Sequence, residues 1–255
     1  MPIKNKIYYH LYEGDKGYTN PPVILIHGAG GNHLFWSAEV RRLPNHKVYA
    51  IDLPGHGKSS GQAIQSIAEF AKQIKKWLDS LGLFRATLIG HSMGSAIAIE
   101  LALMYSENVL GLGLIGAGAK LSVSPHIIEQ LSTPSTYQSA VQKIITWSFS
   151  ADTQKRLVEL AAKRMAEVRP SVLLSDFLAC NKFDEMKRIN KISQQTIIIC
   201  GAEDQMTPLR YSHFLADRIP NSKLAIIPGA GHMVMLEQPA MVAEKITDFL
   251  HDISY

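Results

Sequence analysis

"LIGHSMGSA", Leu88–Ala96, sets Ser92 between Gly90 and Gly94. Before it, "ATLIG" (Ala86–Gly90) is a short apolar run of the kind that forms a strand buried on both faces. After it, Met93–Tyr105 is apolar almost all round and reads as a buried helix. A serine on the turn between such a strand and such a helix is the setting of a Gly-x-Ser-x-Gly nucleophile elbow. Side chains at the two glycines would collide with the neighbouring strand and helix. The helix points its N-terminus at the serine, and its unpaired N–H groups and dipole favour negative charge there. The same residues would also suit a small turn with a solvated serine, and the rest of the chain decides between the two.

Outward from the elbow, short apolar runs alternate with helical patterns. "KIYYHLYEG", "PVILIHG" (Pro22–Gly28), "KVYAIDL" (Lys47–Leu53) and "VLGLGLIG" (Val109–Gly116) read as strands. Ile64–Leu81 carries apolar residues at helical spacing. From about Ala119 to Lys187 no buried strand is legible. Amphipathic segments replace it at Tyr137–Phe149, Thr153–Val168 and Val172–Cys180, with breaks expected at Pro125, Pro134 and Pro170. The alternation resumes with strands "QTIIICG" (Gln195–Gly201) and "KLAIIPG" (Lys223–Gly229) and helices Leu209–Ile219 and Ala240–Ile253. The expected organisation is one α/β core, residues 1–118 and 188–255, with a helical cap inserted at 119–187.

Three more sites join Ser92. Asp204 in "GAEDQMTP" follows the strand ending at Gly201, and His232 in "PGAGHMVMLEQP" follows the strand ending near Pro228. All three residues therefore sit beyond the C-terminal ends of strands, where open α/β sheets bind ligands. The order Ser…Asp…His is that of a hydrolase triad on such a sheet. Serine is a weak nucleophile without a base; His232 would accept its proton and Asp204 would hold the imidazole's tautomer. Glu203 competes with Asp204 for that role. In "HGAGGN" (His27–Asn32), glycine allows the backbone to turn bare N–H groups toward a ligand. The N–H groups of Ala29 and Met93 are the expected oxyanion donors, with Gly30 in reserve for the first.

Together "VILIHGAGGN", "VYAIDLPGHGKSSG", "LIGHSMGSAIAIELA", "IIICGAEDQMTP" and "IPGAGHMVMLEQP" resemble the α/β-hydrolase superfamily over essentially the whole chain. The resemblance implies an α/β-hydrolase fold: a mostly parallel central sheet flanked by helices, a Ser-His-acid triad, a helical cap and no cofactor. It favours Asp204 over Glu203. Within the superfamily the chain looks most like small serine carboxylesterases and lipase-like hydrolases. Ser95 departs from it, since many relatives carry a second glycine there. The implied reaction is hydrolysis of small to medium acyl esters through an acyl-enzyme. Alternatives are lactones, amides or C–C bonds, a lyase, or a binding protein that senses small hydrophobic molecules. Candidate pocket residues are Gly30, Trp36, Trp147 and Met233. Phe149, Met165 and Phe177 could either line an acyl pocket or pack the cap onto the core, and Trp36 could either touch substrate or wedge its loop.

The remaining features narrow the class. The 255 residues are 46% apolar and 19% charged, with a net charge of +4 scattered in short clusters such as Lys75-Lys76, so nucleic-acid binding is not expected. Cys180 and Cys200 make no disulfide framework, which suits the cytoplasm. The N-terminal stretch lacks a long apolar core for a signal peptide, and no window is apolar enough to span a membrane. "GLGLIG" (Gly111–Gly116) matches a dinucleotide fingerprint only in spelling, because its glycines lie inside a strand. "GHGKSS" fails as a phosphate loop because Asp52 stands where glycine is required, and His56 reads as structural. No histidine pair has metal-ligand spacing. A monomer or homodimer is expected.

Overall fold

A computed structural model describes residues 3–13 and 20–253, and the counts below refer to those residues. Eight strands form one sheet: β1 (Ile3–Lys4), β2 (Ile7–Tyr12), β3 (Val23–Ile26), β4 (Val48–Ile51), β5 (Ala86–His91), β6 (Val109–Ile115), β7 (Gln195–Gly201) and β8 (Ser222–Ile227). Their spatial order is β1-β2-β4-β3-β5-β6-β7-β8. The first two strands are antiparallel additions, and β4 through β8 run parallel. The early strand expected from "KIYYHLYEG" is β2; Gly14, at the end of that stretch, lies outside the described residues.

Ten α-helices accompany the sheet: α1 (Ala38–Arg41), α2 (Ile67–Ser80), α3 (Met93–Met104), α4 (Pro125–Ser132), α5 (Tyr137–Ser148), α6 (Lys155–Ala166), α7 (Pro170–Lys182), α8 (Leu209–Arg218), α9 (Val234–Glu237) and α10 (Pro239–Asp252). Alternation along the strands splits the core into two layers. Ile24 and Ile26 of β3 pack with α2, α3 and α8, while Val23 and Leu25 face α1 and α10. The helix expected from Ile64 begins only at Ile67, because the Ser66 hydroxyl accepts the Glu69 N–H at 3.3 Å and caps it. Pro125 and Pro170 open α4 and α7, where a missing N–H costs nothing, and only Pro134 falls between helices. The helices α4–α7 all lie between β6 and β7. The two ends of this helical segment run side by side, joined by Glu185 N–H to Ala119 O at 2.8 Å and by a Lys120–Asp184 ion pair at 2.9 Å.

Buried histidines tie the loops at the C-terminal edge of the sheet together. The His27 Nδ1–H donates to Gly28 O at 2.8 Å, and its Nε2 accepts the Leu53 N–H at 3.0 Å, so β3's end is pinned to β4's. The His91 Nε2–H donates to His232 O at 2.9 Å and pins β5's end to the loop after β8. Burial, helped by the adjacent His56 ring for His27 and the His232 ring for His91, pushes both pKa values down to about 3.

A Cβ on Gly94 would lie 2.0 Å from Ile26 O, and one on Gly90 2.2 Å from Gly94 O. Gly94→Ala should therefore cost on the order of 3 kcal/mol or more. Thermal unfolding would contradict this if the midpoint moved by less than about 2 °C. In the unfolded chain each histidine binds a proton near pH 6.5, roughly. The folded chain leaves His27 and His91 neutral until about pH 3. The unfolded state thus holds more protons in that window, and stability falls as pH drops through it, by up to about 1.4 kcal/mol per pH unit for each residue. Urea titrations at pH 6.5 and pH 5 should show this loss, and equal stabilities would contradict it.

Candidate active site

Ser92 occupies the single residue between β5 and α3, with φ +53° and ψ −116°. This conformation is rare for a residue with a side chain and stores strain. It persists because the surroundings over-determine it. The Ser92 N–H donates to Ile115 O at 2.8 Å, and Ser92 O accepts the N–H groups of Ser95 at 2.9 Å and Ala96 at 3.2 Å. Ser95, the departure noted in the sequence, adds a further clamp. Its hydroxyl hydrogen faces Gly90 O at 2.7 Å and Ile115 O at 3.0 Å, and its oxygen accepts the Ile115 N–H at 3.1 Å. The hydroxyl thus bonds the end of β5 to the end of β6, and its partner 20 residues away could not be named from the sequence.

Asp204 and His232 are brought together from separate loops. The His232 Nδ1–H donates to Asp204 Oδ2 at 2.8 Å, which leaves Nε2 of the neutral ring free to accept. Thr207 supports the pair, a role with no signal in the sequence beyond its place three residues on. Its N–H donates to Asp204 Oδ1 and its hydroxyl to Oδ2, each at 2.8 Å. The Met206 N–H adds a third donor at 2.9 Å. Burial disfavours the charged carboxylate, but His232 and the Thr207 donors outweigh it and hold Asp204 below the usual carboxylate range. Glu203 points elsewhere: its Oε2 accepts the Ser150 hydroxyl at 2.6 Å.

Ser92 and His232 both line a cavity of about 230 Å³ beneath α4–α7. Ala29 lines it as well. Gly28 O is held on the protein side by the His27 Nδ1–H at 2.8 Å and the Gly31 N–H at 3.1 Å. In a trans peptide the C=O and the following N–H point in opposite directions. The Ala29 N–H is therefore aimed away from those anchors. The amide of Met93 opens α3 directly after Ser92, while its side chain is fully buried in the core. Gly30 is not available as the reserve donor, because its N–H is bonded to Asp176 Oδ2 at 2.8 Å.

Of the four candidate pocket residues, Trp147 and Met233 line the cavity. Gly30 and Trp36 do not. Gly30 is turned toward α7, and Trp36 is 1% exposed, packed with Phe35, Val40 and the sheet as a wedge under its loop. Met165 and Phe177 also reach the cavity, whereas Phe149 packs into the core. Cys180 lines the cavity too, but burial pushes its thiol well up, away from the reactive thiolate. Among the described residues, no Asp, Glu, Lys or Arg lines the cavity. Among the described residues, no group of three or more His, Cys, Asp or Glu is placed to hold a metal ion, and no helix is long and apolar enough to cross a membrane.

A sequence model of the alpha/beta hydrolase family matches residues 23–245. The chain is 28% identical over 245 residues to a putative carbamate hydrolase, RutD, of Pseudomonas savastanoi pv. phaseolicola (strain 1448A / Race 6), with 91% of this chain and 94% of that one covered. It is 26% identical over 268 residues to the monoacylglycerol lipase ABHD6 of Mus musculus, covering 96% of this chain and 79% of that one. A solved structure of a thermophilic esterase superposes with a TM-score of 0.82 at 32% identity, over 96% of this chain and 98% of that one. The sheet, its flanking helices and the match over residues 23–245 make this chain a member of the alpha/beta hydrolase family and a hydrolase.

Proposed function

We propose that the protein is a serine esterase that cleaves uncharged carboxylic esters with small to medium acyl chains through an acyl-enzyme. The observation that carries this reading is the Asp204–His232 pair opening onto the same uncharged cavity as the strained Ser92. Ser92 Oγ attacks the ester carbonyl while His232 Nε2 takes its proton. Asp204, held ionised, orients the ring and stabilises the imidazolium. The N–H groups of Ala29 and Met93 receive the negative charge that develops on the carbonyl oxygen, at the N-terminus of α3. The imidazolium then protonates the departing alcohol, and water repeats the sequence on the acyl-serine. The helices α4–α7 act as a cap, and Trp147, Met165 and Phe177 give the acyl chain an apolar wall. The esterase and lipase names among its relatives support this substrate class.

Ser92→Ala should lower kcat on p-nitrophenyl butyrate by on the order of 10⁶ with the melting temperature nearly unchanged. A fluorophosphonate should label the wild-type chain at Ser92, and a label mapped to another residue overturns the assignment. Asp204→Asn should cost on the order of 10⁴, because the wrong imidazole tautomer is then favoured.

Asp204, held below the usual carboxylate range, keeps its charge as the pH falls from neutrality, and the proposed mechanism needs a base that is free to accept a proton. The rate kcat/KM should therefore rise with pH through one ionisation and then level. A rate that falls from pH 5 to pH 8 contradicts a His232 base.

Each added acyl methylene should raise kcat/KM by up to about fourfold until the cavity is full. A hemisuccinate of the same length should be at least about 100-fold poorer than the butyrate, since its carboxylate would be buried without a partner. Equal rates on the two would overturn the uncharged-substrate reading.

A further inference from the structure

A second buried carboxylate–histidine pair lies outside the reacting groups. Asp176, on α7, is fully buried, and His56, on the loop after β4, is 2% exposed. The His56 Nε2–H donates to Asp176 Oδ2 at 2.7 Å, and its Nδ1 faces Pro54 O at 3.1 Å. Both ring nitrogens therefore meet oxygen acceptors, and the ring carries both protons. Burial works against that charge, but the Asp176 carboxylate and the two hydrogen bonds raise the His56 pKa above its ordinary value. The pair is far from a generic core contact. The same Oδ2 also accepts the Gly30 N–H at 2.8 Å, and Oδ1 has no hydrogen-bond partner among the described residues.

Gly30 has φ +62°, and a Cβ there would lie 2.7 Å from Leu173 on the same helix. The loop is thus pressed directly onto α7. Ala29 sits between two peptide planes. The plane before it is fixed through Gly28 O by His27 and Gly31. The plane after it is fixed through the Gly30 N–H by Asp176. Arg169, at the start of α7, donates to Gly55 O at 3.1 Å and Gly61 O at 3.3 Å, which anchors the same helix to the loop that carries His56.

We infer that Asp176 is a positioning residue: held by His56, it reaches from the helical insertion to the Gly30 N–H and fixes the direction of the neighbouring Ala29 N–H. The insertion then does more than roof the cavity, because it completes the geometry of an oxyanion donor. The inference rests on the esterase reading for the task given to the Ala29 N–H, and not for the bond itself.

Two variants separate positioning from mere stability. Asp176→Asn keeps the shape and one acceptor for Gly30. The double variant His56→Leu/Asp176→Leu removes both buried charges together, which such sites tolerate far better than loss of one partner, but leaves Gly30 N–H unpaired. In the double variant kcat on p-nitrophenyl butyrate should fall about 10- to 100-fold, with KM changed less than about threefold, up to the loss seen when an oxyanion donor is removed. Affinity for a trifluoromethyl ketone, which forms a tetrahedral adduct on serine, should fall by the same factor as kcat/KM. Asp176→Asn should recover most of the rate. Amide exchange at Gly30, followed by NMR, should accelerate in the double variant and stay slow in Asp176→Asn. Unchanged kcat and unchanged exchange in a folded double variant overturn the inference and leave the esterase reading intact. So does a rise in KM alone. If the double variant does not fold, Asp176→Ala decides, since it removes the acceptor for Gly30: faster Gly30 amide exchange with a severalfold or greater loss of kcat supports the inference, and wild-type exchange and rate overturn it. A wild-type protein that hydrolyses no ester would instead remove the function, while the exchange measurement would still report on the bond.

Discussion

At the start of α3 there is no room for a side chain. A Cβ on Gly94 would fall within 2.7 Å of both Ile26 O and His27 O, and one on Gly90 would fall on the backbone of Gly94 and Ser95. The helix is thereby seated directly on the ends of β3 and β5. That contact forces the chain to reverse within one residue, and Ser92 is that residue. Its strained backbone is the cost of bringing the helix N-terminus, the His27–Asn32 loop and the serine to one place. The Ser95 clamp and the Ile115 carbonyl hold the turn against relaxation.

Around that point the buried histidines are distinguished by what their second nitrogen meets. His27 accepts an N–H and is neutral; His56 faces two oxygens and is charged. Their ring centres are 5.0 Å apart, and the charge on one helps to suppress charge on the other. His33 is matched to Asp52 at 2.7 Å in the same region. The loops at the C-terminal edge of the sheet are thus joined by buried polar groups with defined partners, so their arrangement is set by polar bonds as well as by packing.

Much of this could be read from the sequence because the informative residues are local. The strands β3 to β7 are largely apolar runs and β8 is apolar after Lys223, and the elbow, Asp204 and His232 each come within a few residues of a strand's end. β1, with two residues, and α1, with four, are too short to show a period. α4 was obscured by Pro125, which looks like a break and is in fact the first residue of the helix. Other roles were invisible because the partner is remote. Asp176 lies 146 residues from Gly30 and 120 from His56, and nothing in "LLSDFLAC" marks it. Trp36 could be read either way because an indole beside a loop packs or binds according to which side the loop turns, and that is decided in three dimensions.

The uncharged lining of the cavity treats what enters and what leaves differently. In the proposed reaction the incoming ester is neutral and loses little by shedding its water among Trp147, Met165 and Phe177. The acid formed on the last step is ionised at neutral pH, and among the described residues no lysine or arginine lines the wall to hold it. A carboxylate left in such surroundings is poorly solvated and returns to water. Turnover is then protected from its own product, and the same walls that admit the substrate expel what it becomes.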